Sequence, residues 1–81
     1  MTETEVAVVR AYLCDGRSHR EIQQEVLEMD APLRGGGFEA MKILHKFGIK
    51  GAHKSALRGR QFNPQEFERA GSIQSYLRQN R

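Results

Sequence analysis

Tryptophan is absent from this 81-residue sequence, proline occurs twice and cysteine once. A single cysteine, Cys14, excludes an internal disulfide and a cysteine-cluster zinc site, and it fits a reducing, cytoplasmic setting. No apolar run approaches the roughly 18 residues that a membrane-spanning helix needs, so no membrane association is expected. The start, Met1-Thr2-Glu3-Thr4-Glu5, is acidic, unlike the cationic opening of a secretory signal. Size excludes a large enzyme with its own cleft, since a chain this short buries only about 60–65% of the surface it exposes unfolded. What is present is ordinary for a globular chain: 28% charged residues, 38% apolar residues and eight glycines. With no internal repeat and no separating linker, residues 1–81 read as one small domain.

The net charge of +3 conceals a segregation of sign. Residues 1–30 carry seven acids against Arg10, Arg17 and Arg20. Residues 31–60 carry seven bases (Arg34, Lys42, Lys46, Lys50, Lys54, Arg58 and Arg60) against Glu39 alone. The remainder is nearly balanced. Such asymmetry bears on partners rather than on fold. It is either an uneven solvated surface or a basic face for phosphate, and the second requires the charges to converge in space.

Helix punctuation predicts an all-α fold, a small bundle of four to five short helices. Thr2 and Glu5 have capping-box spacing and open a helix to about Cys14, with Val6, Val9 and Leu13 on one stripe. Val8 and Tyr12 fall on another side, either packed or forming a dimer seam. Ser18 and Glu21 repeat the box and open a second helix to about Met29, with Ile22, Val26 and Met29 inward. Pro32 and Gly35-Gly36-Gly37 interrupt the chain. A third helix, Phe38 to Phe47, places Ala40, Ile43, Leu44 and Phe47 on one face and Lys42, His45 and Lys46 on the other. Gly48 and Ile49 suit a Schellman stop against Leu44.

From Lys50 to Gln61, with only Ala52, Ala56 and Leu57 to bury, periodicity does not choose among loop, short helix and hairpin. Asn63, Pro64 and Glu66 then cap a last helix to about Gln79. Phe62 staples onto Phe67, and Gly71-Ser72 is a candidate break. Phe38, Phe47, Phe62 and Phe67 have the spacing of core and staple residues. Tyr12 and Tyr76 are the aromatics left as candidates for exposure.

Nothing in the sequence argues for catalysis, a metal or another cofactor. His19, His45 and His53 lack His-Glu-x-x-His spacing, no Gly-x-Ser-x-Gly elbow occurs, and Glu21, Glu25 and Glu28 read as a solvated helix face. His19 itself reads as exposed, and Cys14 as a small packing residue. The run Arg34-Gly35-Gly36-Gly37 is not a Walker loop, and no small-molecule substrate is indicated. It serves either as a chain reversal or as a backbone phosphate contact at the start of the third helix.

The words Ser18-His19-Arg20-Glu21-Ile22, followed by a basic helix, resemble the helix-turn-helix of bacterial DNA-binding proteins over about residues 18–49. The connection from Asp30 to Gly37 is longer than that motif's usual turn of 3–4 residues. The resemblance implies a recognition helix at Phe38–Phe47, with Lys42, His45 and Lys46 toward the major groove or its phosphates. Lys50, His53, Lys54, Arg58 and Arg60 then clamp the backbone, with Arg34 as a further phosphate donor. The expected function is nucleic-acid binding, with duplex DNA as partner, in a regulator or the targeting part of a DNA-processing protein. The alternative is a protein-interaction module or homodimerising adaptor, with Val8 and Tyr12 in the seam.

Overall fold

The computed structural model describes residues 1–31 and 36–79. Five helices follow one another: α1 Glu3–Leu13, α2 His19–Glu25, α3 Phe38–Lys46, α4 Pro64–Ala70 and α5 Ile73–Gln79. A single 3-10 turn, Gly51–His53, lies between α3 and α4, and no strand occurs among the described residues. The result is a small helical bundle. Both predicted capping boxes form: Thr2 with Glu5 opens α1 and Ser18 with Glu21 opens α2.

Helix α1 is the centre of the bundle. It packs against α2 and α3, and Val8, Val9, Ala11, Tyr12 and Leu13 are all buried, so its apolar arc is far wider than a three-residue stripe. Val8 and Tyr12 therefore belong to the core of one chain, and the seam proposed for them does not exist. Tyr76 is fully buried too, so neither tyrosine is exposed. Its phenol accepts the Asn63 N–H at 2.9 Å. That bond takes the place of the Glu66 half of the expected capping box, while Asn63 accepts from Gln65 and Glu66 as expected.

The C-terminal pair is held by an aromatic cluster. Phe67 meets Phe62, Tyr76 and Phe47 with ring centroids 5.7, 5.6 and 6.1 Å apart. The Phe62 staple is thus present, and Gly71 at φ 82° separates α4 from α5. The Schellman stop of α3 forms as well, with Ile49 N–H donating to the Leu44 carbonyl and Gly48 N–H to that of His45, at 3.0 Å each.

Four expectations fail between α2 and the basic tract. Helix α2 ends at Glu25, not near Met29: Glu28 takes φ 53°, and the Met29 N–H turns back to the Gln23 carbonyl at 3.0 Å. That reversal swings Met29 out of the apolar stripe and leaves it 46% exposed. Phe38, the first residue of the third helix, is 54% exposed. In the basic tract Leu57 alone is buried, whereas Ala52 and Ala56 are exposed.

Candidate nucleic-acid interface

The basic tract is shaped by the end of α1. The last four carbonyls of a helix lack intrahelical partners. In α1 the Arg10 carbonyl takes the Cys14 N–H, Ala11 takes Arg17, Tyr12 takes Ser55 and Leu13 takes Leu57, at 2.9 to 3.1 Å. Two of the four partners come from the tract, with the Leu57 side chain buried as an anchor. A run of lysines and arginines is thereby laid against the negative end of the helix, where cations are favoured. Lys50, Lys54, Arg58 and Arg60 stay exposed. His53 is half-buried, and its Nδ1 accepts the Lys50 N–H at 2.9 Å.

The cations of α3 are held differently. Lys42, His45 and Lys46 are all exposed, at the i, i+3 and i+4 positions that share one helix face. Lys46 leans to α1, its Nζ 2.7 Å from Glu5 Oε2, and the Glu5 side chain is only 14% exposed. The Lys46 ammonium, helped by the Thr2 N–H, holds the Glu5 carboxyl down to about 2. Lys42 stands 3.7 Å from Glu39 and over the ring of Phe38. Exposed pairs of that kind contribute little and yield readily.

His45 is near enough to α2 for its charge to act on His19. Its neighbour there, His19, is half-buried rather than exposed and stacks on Tyr12, with centroids 5.2 Å apart and ring planes 12° off parallel. Burial, followed by the charges of His45 and Lys54, pushes the His19 pKa down. The charges of His45 and Lys54 thus reach α2 at this end of the bundle. Lys54 also helps to depress Glu21, whose carboxyl is held down first by its Ser18 cap.

The start of α3 is occupied from within. Gly37 is buried at φ 99°, and a methyl group there would stand 2.6 Å from His19 Cβ and 2.7 Å from the Arg20 nitrogen. The glycine lets the first turn of α2 come into contact with the entry to α3. Gly36, half-buried, lines a small hollow with His19, Phe38 and Met41. Arg34 and Gly35 lie outside the described residues. The Glu39 N–H, which an anion at this helix start would need, is already bonded to Gln23 Oε1 at 3.1 Å. Gln23 is 6% exposed, and its Nε2 donates to the Asp30 carbonyl at 2.7 Å. Sequence reading passed over Gln23, because a glutamine among the five other polar residues of α2 carries no mark of burial. Cys14 is half-buried, and burial together with Asp15 raises its thiol pKa.

The described residues therefore define a small all-helical domain with a basic tract docked on its central helix. The chain matches no protein-family model, no curated protein and no solved structure.

Proposed function

We propose that this domain binds nucleic acid, duplex DNA first, through the tract Lys50–Arg60 together with His45 and Lys42 of α3. The observation that carries the reading is where the acids are held. Glu5 is paired with Lys46, Glu25 with Arg17, Glu39 with Lys42 and Glu68 with the N-terminal amine, while Glu21 caps α2. Lys50, Lys54, Arg58 and Arg60 have no ion pair among the described residues. These four side chains are thus available to an outside polyanion. Lysine and arginine contacts to phosphate give salt-sensitive affinity without reading sequence; a role as regulator or as the targeting part of a DNA-processing protein would need base contacts in addition. A protein-interaction module is the second reading, favoured by the exposed Phe38 and Met29.

Fluorescence anisotropy of a labelled random duplex tests this. Four phosphate contacts should weaken binding on the order of a hundredfold between roughly 50 and 200 mM salt. Lys54→Ala with Arg58→Ala should reduce affinity more than Lys42→Ala with Lys46→Ala, since the latter pair already has partners in the chain. Absence of binding at the lower salt refutes the nucleic-acid reading and favours a protein partner.

A further inference from the structure

A groove of about 410 Å³ runs between the stop of α3 and the turn joining α4 to α5. Phe47 and Ile73 supply its apolar lining, Lys50 and His53 line it from beyond α3, and Ser72 and Gln74 from the start of α5. No acid lines it, unlike the grooves at Glu66 and at Asp15. The state of His53 follows from its hydrogen bond. Nδ1 accepts the Lys50 N–H, so it bears no proton, and the neutral ring carries its proton on Nε2 as a donor. Among the described residues, nothing bonds to this Nε2, to Lys50 Nζ or to the Gln74 amide. Ser72 is committed otherwise: its hydroxyl accepts from the Ser75 N–H and donates to Ser75 Oγ.

We propose that this groove seats one backbone phosphate of the bound nucleic acid, with Lys50 and His53 Nε2–H on one side, Gln74 on the other and the sugar over Phe47 and Ile73. The inference rests on the nucleic-acid reading and extends its surface to α5, a helix with no place in the basic tract. The donor set suits a phosphate: one full charge, two neutral donors and no competing carboxylate. The apolar lining suits the sugar, whose carbon face gains by leaving water.

Two substitutions place a carboxylate at the start of α5 without harming the helix. Ser72→Asp keeps the cap, because aspartate caps as well as serine, and Gln74→Glu puts an acid in a first turn, where it is favoured. Both should retain the thermal transition of the unaltered chain. Each should bind a random duplex of about 15 base pairs roughly tenfold more weakly at 50 mM salt, with the salt slope reduced by about 1 as one phosphate contact is lost. Duplex binding by the unaltered chain that neither substitution weakens overturns the groove and leaves the wider surface standing. No duplex binding by the unaltered chain overturns both. Amide shifts at Lys50, Ser72 and Gln74 on titration with the duplex, absent in Ser72→Asp, support the seat.

Discussion

Two helix ends in this domain carry glycines, and they are built differently. At the entry to α3, Gly37 is buried against the first turn of α2, and Gln23 already holds the Glu39 N–H. At the other end of α3, Gly48 has open space where a side chain would stand, and the chain beyond it presents Lys50, Lys54, Arg58 and Arg60 to solvent. In sequence the glycines before α3 read as a chain reversal or a phosphate contact, and Gly48 as a helix stop. The difference is occupancy. One helix end is filled by its own chain, whereas the tract satisfies the carbonyls of α1 with its backbone and leaves its side chains outward.

Breaking the closed end should have the largest effect. Gly37→Ala meets both an unfavourable positive φ and backbone atoms of α2 that cannot step aside, so a loss of about 3 kcal/mol or more is expected on chemical denaturation. A loss below about 1 kcal/mol would show that α2 and α3 are not in contact at this point. Gln23→Leu keeps the volume but leaves the Asp30 carbonyl and the Glu39 N–H without their partner, for a loss of about 2 kcal/mol. Unchanged stability there would mean that water replaces the amide, and the entry to α3 would then be open to an anion after all.

The smallest effect sharpens the contrast between the two sets of lysines. Glu5 sits at about 2 against an ordinary 4.5 because Lys46 is beside it. The sign follows from linkage: a depressed carboxyl contributes stability that is complete above pH 4.5 and is lost as pH falls through about 2. Lys46→Met should return the Glu5 titration, followed by NMR, toward 4.5 and flatten that acid-side loss. An unmoved Glu5 would free Lys46 for a ligand and erase the distinction from Lys54. His19 acts in the same direction at higher pH. Its lowered pKa means that its contribution is complete above the unfolded value of 6.5 and is lost as pH falls.

Much of the local structure is legible in the residues because its causes are local. Thr2 with Glu5, Ser18 with Glu21, Asn63 with Pro64, and Gly48 with Ile49 act over a few bonds, and each forms a helix boundary where the spacing places it. The early end of α2 was hidden because its stop residue is Glu28, a side chain seldom found at positive φ. Of the candidate interface, the sequence supplies the bases but not their partners. That Lys46 is held by Glu5, 41 positions away, and that Gln74 faces the groove of Lys50 are consequences of packing.

By itself, then, the sequence determined that the chain is helical, where most helices begin and stop, and that one stretch is rich in positive charge. Tertiary structure decided which charges remain available, that Val8 and Tyr12 are core, and that Gly37 serves contact between helices. The reason is range. Caps and stops follow from hydrogen bonds between near neighbours, whereas burial and ion pairing depend on which distant surfaces meet.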